Sequence, residues 1–208
     1  VENVYDFMRE GIFPQTSLPN LKDTLELFEE YASNGIDFIY YSFSSELSST
    51  CETCYLMIQE LKTKYPDVKM EIIDTKSGSF ATGLIVLQGA RMARQGASFE
   101  DIVKASEEHI QCIEHVFTIN DLDWLLKGGR ISKSGAIIGK ALNIKPILDV
   151  QEGKMVVIKK IRGSNMNITK NKVNFRKSIL IMAVILCILI SFVSADSYKI
   201  TDKKTNII

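Results

Sequence analysis

The chain has 208 residues, and its 46% apolar content is enough for one large or two small packed domains. Its 25 basic and 25 acidic residues balance overall, but the residues after Gly163 carry +5 and the first 163 carry −5. An acidic body excludes nucleic acid as its partner, because phosphate binding requires a basic face.

Residues 1–12 open at helical spacing, with Val4, Phe7 and Met8 on one side and Gly11 as the stop. No strand precedes them. Pro14-Gln15-Thr16-Ser17-Leu18-Pro19 forms a proline-bounded polar loop. By residue type alone, Thr16 and Ser17 are turn and cap formers. Asn20 then caps an amphipathic helix whose apolar face is Leu21, Leu25, Phe28 and Ala32, and which ends at Gly35.

Phe38 to Phe43 is apolar and aromatic, the pattern of a buried parallel strand. It delivers Ser44–Ser45 to its carboxyl end, ahead of a helix from about Ser48 to Lys62. A hydroxyl-rich turn there makes an anion site, with free backbone N–H groups and the helix dipole facing the ligand. Open α/β sheets hold ligands at these strand ends. The same hydroxyls also suit an ordinary helix cap. Cys51-x-x-Cys54 lacks the second cysteine pair or histidine cluster that a structural zinc needs, so the two thiols are read as sharing a helix face.

Val68 to Ile73 is the next strand, ending at Asp74. Thr75 to Ser79 is a second turn bearing hydroxyls and glycine, followed by a helix over Phe80 to Arg94. Ser98-x-x-Asp101 is a capping box with Asp in place of Glu, and its helix runs to about Cys112. His109 and His115 have no positioned Ser or Cys partner and are read as structural or exposed.

His115 to Ile119 forms a strand leading into Asn120–Leu148. In that stretch Leu122, Trp124, Leu125 and Leu126 break at Gly128–Gly129, with Arg130 directly after. Two glycines allow a close backbone approach. The arginine carries a fork of donors suited to a carboxylate or phosphate. A helix C-cap is the competing reading of the same residues. A second apolar run spans Ile137 to Leu142. Ile147–Val150 and Met155–Ile161 then pair around Gln151-Glu152-Gly153-Lys154 as a hairpin. The alternation of strands and helices predicts an α/β fold, a mostly parallel sheet flanked by helices with right-handed crossovers.

After a basic linker over 164–177 come 18 uncharged residues, Ser178 to Ala195, and a polar tail over 196–208. Eleven of the 18 are Ile, Leu, Val or Phe, which favours membrane insertion by about 3–7 kcal/mol. As a helix the run spans about 27 Å, close to the hydrocarbon core. Flanking basic residues then keep residues 1–177 on the cytoplasmic side of a single-pass span. The same tail also fits a secretory signal, from Met166 through a basic region to Val193-Ser194-Ala195.

Four motifs occur in order along the body. They are Thr16-Ser17-x-Pro19, Ser44-Ser45-x-Leu47-Ser48-x-Thr50, Asp74-x-Lys76-Ser77, and Asp121-Leu122-x-x-Leu125-x-Lys127-Gly128-Gly129-Arg130-Ile131-Ser132 with its following Lys145-Pro146-Ile147-Leu148. Together they resemble the DegV family across residues 5–163. The resemblance implies a cytoplasmic, two-domain α/β protein that holds a long-chain fatty acid. Some members are carrier subunits that present the acid to a separate fatty-acid kinase, and are not enzymes themselves.

The resemblance places Thr16, Ser17, Ser44, Ser45 and Arg130 near the fatty-acid head group, with the acid as ligand and no metal or other cofactor. It implies an incomplete second lobe, because the family's opening strand and later closing segment are not found here. Where the family usually has Gly at 46 and 49, this chain has Glu46 and Ser49. An inward Glu46 would repel a carboxylate, whereas a solvent-facing one costs little. Residues 1–163 are thus read as a partial lipid-binding domain. Near residue 164 the motif is lost, the charge reverses and a methionine follows, which predicts a junction with the start of an exported protein. A non-binding truncated remnant and a phosphate-handling α/β enzyme are the alternative functions. No P-loop or G-x-G-x-x-G supports the enzyme.

Overall fold

The computed structural model describes residues 2–119, 122–132 and 144–162. The apolar run 137–142, the linker 164–177, the hydrophobic stretch 178–195 and the tail 196–208 lie outside the described residues. Among the described residues, no helix is long and apolar enough to cross a membrane.

The chain opens with α1 (Glu2–Arg9), then α2 (Leu21–Ser33). Asn20 caps α2 as expected: its side chain accepts from the Lys22 amide at 3.1 Å. Strand β1 (Phe38–Ser42), α3 (Thr50–Lys64) and β2 (Met70–Asp74) follow, and β1 pairs with β2 in parallel from Phe38↔Met70 to Ser42↔Asp74. Helices α4 (Phe80–Arg94) and α5 (Phe99–Cys112) complete this first unit. Ser98 caps α5 as the sequence predicts, accepting from the Asp101 amide at 3.1 Å.

The parallel pair is buried on both sides, which is why its strands read as apolar runs. On one side Phe28 and Ala32 of α2, Cys54, Ile58 and Leu61 of α3, Phe38 and Met70 form a core cluster. Phe28 is fully buried and stacks on Phe38 with ring centroids 5.4 Å apart. Burying such a ring contributes roughly 1.5–3 kcal/mol. On the other side Ile39, Tyr41, Ile73, Ile85 and Ile102 pack together. The Tyr41 hydroxyl lies 2.9 Å from Ser106 Oγ. Ser106 has already given its one proton to the Ile102 carbonyl, so Tyr41 is the donor.

The second unit is a three-stranded antiparallel sheet in the order β3 (Phe117–Thr118), β4 (Ile144–Gln151), β5 (Lys154–Arg162). β3 is shorter than the expected 115–119. A short helix, α6 (Asp123–Lys127), sits between β3 and β4 in sequence. Leu122, Ile131 and Leu148 form its separate core. The hairpin turn has Glu152 at φ 47° and Gly153 at φ 83°, the pair of positive φ values that matches strand twist in two-residue loops. The fold is therefore α/β, with helices on a parallel sheet, plus an antiparallel hairpin sheet joined to it.

Candidate functional site

Parallel register sets the site. Because Ser42 lies opposite Asp74, the turns leaving the two strands run side by side at the carboxyl edge. Ser44 donates its backbone N–H to the Ser77 carbonyl at 2.9 Å, and Thr75 Oγ1 donates to the Ser42 carbonyl at 2.7 Å. Ser42, Ser44, Thr75 and Ser77 are all buried. The second turn is strained as well as polar: Lys76 and Ser79 both have positive φ, 50° and 55°. Non-glycine residues in that region persist only where surrounding contacts hold them, and such strain gathers at binding sites.

Ser44 and Ser45 differ in role. Ser44 Oγ is buried and donates to the Gly153 carbonyl at 2.8 Å, fastening the hairpin tip to the turn. Ser45 is exposed. Its hydroxyl donates to Asp74 Oδ2 at 2.5 Å, and its amide donates to Asp74 Oδ1 at 3.1 Å. Asp74 also accepts from the Lys76 amide at 3.1 Å and lies 3.5 Å from Lys76 Nζ. Burial pushes the Asp74 carboxyl up, but the hydrogen bonds from Ser45 and Lys76 and the Lys76 charge outweigh it and hold the group below its ordinary range.

This corrects the expectation of free backbone N–H groups at the turn. The amides of Ser44, Ser45, Glu46, Leu47 and Ser48 all have acceptors within the protein. The carboxylate of Asp74 takes the Ser45 hydroxyl and the Ser45 and Lys76 amides. Glu46 is exposed and pairs with Lys154 across a 3.3 Å gap. It is the solvent-facing, partnered case, not the inward one.

Arg130 reaches the same turn. Its Nε donates to the Leu47 carbonyl at 3.2 Å, and Nη1 donates to the Gly128 carbonyl. The competing helix-cap reading holds for the backbone: the Gly128, Gly129 and Arg130 amides return to the Trp124, Leu126 and Leu125 carbonyls. Gly129 takes φ 74°. The cap therefore aims the side chain, and the side chain braces the Ser44–Ser45 turn. Thr16 and Ser17 are exposed and make no hydrogen bond to Ser44, Ser45 or Arg130. Their loop is anchored near α6 by Phe13, which stacks on Trp124 with centroids 5.5 Å apart. The structure thus puts Ser44, Ser45 and Arg130 on one turn, Arg130 through the Leu47 carbonyl, and brings the Thr16–Ser17 loop only to the neighbouring helix.

The remaining candidates are two thiols and a histidine. Cys51 and Cys54 are buried free thiols, and burial pushes both up, away from reactive thiolate character. Burial lowers the His115 imidazole, which keeps it neutral, and neither ring nitrogen has a hydrogen-bond partner. Among the described residues no group of three His, Cys, Asp or Glu is arranged to hold a metal. An open groove of about 560 Å³ between Lys62, Met70, Phe99 and Lys104 lies at the amino end of β2, opposite the serine turns. Sequence reasoning missed Gly153 and the Asp74 hold on Ser45. A glycine at a hairpin tip signals only the turn, and nothing in it points to Ser44.

The DegV family of uncharacterised proteins matches residues 1–179. A DegV domain-containing protein of Clostridium perfringens is 42% identical over 148 residues, covering 71% of this chain and 51% of the relative. The chain spans about half the length of the curated relatives it matches. A DegV family protein from Thermus thermophilus, described by its fatty acid binding, has a TM-score of 0.68 at 29% identity, covering 78% of this chain and 56% of that one. The Streptococcus pneumoniae Fatty Acid Kinase B3 protein, loaded with linoleic acid, has a TM-score of 0.64 at 26% identity, over 76% and 55%. Motifs, fold and relatives agree: the chain belongs to the DegV family.

Proposed function

We propose that this chain binds a long-chain fatty acid, as a carrier that presents the head group to a separate fatty-acid kinase. The observation that carries the reading is the braced serine turn. Ser45 stands exposed at the sheet's carboxyl edge, with Arg130 fastened to the same turn at Leu47. Relatives described as fatty-acid-binding share the fold at 26–29% identity. Thr16 and Ser17 complete the head-group site in this reading, from the loop that Phe13 holds beside α6. Apolar side chains would line the acyl chain, as ligand pockets generally do.

A phosphate-handling enzyme is disfavoured, because phosphate sites rely on unpaired backbone donors and those of this turn are taken. Residues 178–195 would anchor the carrier to a membrane, with residues 1–177 on the cytoplasmic side. That part rests on composition and flanking charge alone.

Lipid extraction and mass spectrometry of the purified chain test the reading. The expected result is co-purified long-chain acid at near one per chain, reduced at least severalfold in Arg130→Ala. Recovery of no acid from folded protein would sink it.

A further inference from the structure

A serine hydroxyl has one proton and two lone pairs. At Ser45 that proton is committed: Oγ lies 2.5 Å from Asp74 Oδ2, and the Ser45 amide is committed to Asp74 Oδ1. An ionised carboxylate accepts only, so the direction of both bonds is fixed. The face that Ser45 turns outward therefore offers lone pairs, with a negative charge behind it. An ionised fatty-acid head, which also only accepts, finds no donor on Ser45 unless the Asp74 bond breaks. A protonated head donates its O–H to Ser45 Oγ and leaves that bond intact.

We propose that Asp74 is a positioning residue that sets Ser45 as an acceptor, so that the site takes the fatty acid in its protonated, uncharged form. This rests on the lipid-binding reading above. The two lysines agree with it. Lys76 Nζ faces Asp74 at 3.5 Å, and Lys154 Nζ faces Glu46 at 3.3 Å, so each lysine already answers an acid. Arg130 commits Nε and one Nη1 proton, two of its five N–H donors, to the Leu47 and Gly128 carbonyls, and no bond joins it to the Ser45–Asp74 pair. From α3, burial first and the Asp74 carboxylate second push the Cys51 thiol up, so it adds no charge. The bonds onto Asp74 hold it ionised, which keeps the acceptor direction at neutral pH.

The test uses the full chain and [1-13C]dodecanoic acid below micelle concentrations, with affinity measured by calorimetry from pH 5 to 8. A site selecting the protonated acid loses apparent affinity about tenfold per pH unit above the free acid's ionisation. The carboxyl carbon of the bound acid keeps its protonated resonance at pH 7. Asp74→Asn reverses the bond: its amide donates to Ser45 Oγ and returns the hydroxyl proton to the site. That variant flattens the pH profile and moves the bound resonance to the ionised position. A structural role for Asp74 alone would weaken binding without changing either slope or resonance. Where Asp74→Asn fails to fold, the wild-type resonance decides. PH-independent affinity with an ionised resonance in wild type overturns the proposal and leaves lipid binding standing. Absence of any bound acid in folded protein overturns both.

Discussion

Ser44 and Ser45 are adjacent, yet their hydroxyls bond to different units of the molecule. Ser44 turns inward to the Gly153 carbonyl, and Ser45 turns back to Asp74. Residue type and position flagged both serines, because hydroxyls at the end of an apolar strand signal a turn with chemistry. Their partners lie 109 and 29 residues away, and no local pattern encodes such distances. Gly153 shows the cost of that blind spot. It sits at φ 83°, and a Cβ there would lie 2.6 Å from Ser44 Oγ. Gly35 is the natural control, at φ 69° with nothing within 4 Å. An alanine at either position bears the left-handed strain of about 1–2 kcal/mol, but only at 153 does it also push the hairpin off Ser44. Urea unfolding is expected to show Gly153→Ala losing about 1 kcal/mol or more beyond Gly35→Ala. Equal losses would mean the hairpin is not docked on the serine turn.

Elements were more legible than contacts. The helix faces around Phe28, the buried strands and the hairpin at Gln151–Lys154 all follow from local periodicity and turn chemistry, and each is observed. β3 shrank to two residues because a strand needs a partner as well as a pattern, and β4 pairs with it only at Phe117 and Thr118. Capping was legible for the same local reason. Ser98 accepts from the Asp101 amide at 3.1 Å and donates to Asp101 Oδ2 at 2.7 Å, both within one turn of α5. Removing such a cap costs about 1 kcal/mol. Since Ile102 and Ser106 of α5 face the core around Tyr41, fraying there reaches β1. Ser98→Ala is expected to lower stability by about that amount, while Ser98→Thr, which keeps both the acceptor for the Asp101 amide and the O–H that Asp101 Oδ2 accepts, holds close to wild type. Thermal unfolding of both variants followed at 222 nm checks the pair. Equal loss in both would assign the effect to something other than the cap.

At the scale of the whole molecule, the described residues form two sheets with separate cores, one around Phe38 and Tyr41 and one around Leu148. The bonds that cross between them gather at the proposed site: Ser44 to Gly153, Glu46 to Lys154, and Arg130 to Leu47. A guest held at this junction would touch groups fixed by both units, so it would bind the assembled chain and not its parts. Anything that binds only the folded state stabilises it by RT ln(1 + [L]/Kd), about 2.7 kcal/mol at a hundredfold excess over Kd. For a body of this size each kcal/mol moves the melting midpoint by about 2–4 °C. Saturating long-chain fatty acid is therefore expected to raise the midpoint by roughly 5–11 °C, in a single transition. Gly153→Ala, by loosening the junction, reduces that shift more than Ser98→Ala does, although both lower the starting midpoint. Scanning calorimetry with and without ligand separates the cases. A ligand shift of the same size in both variants would place the guest within one unit, away from the seam that Ser44 and Gly153 close.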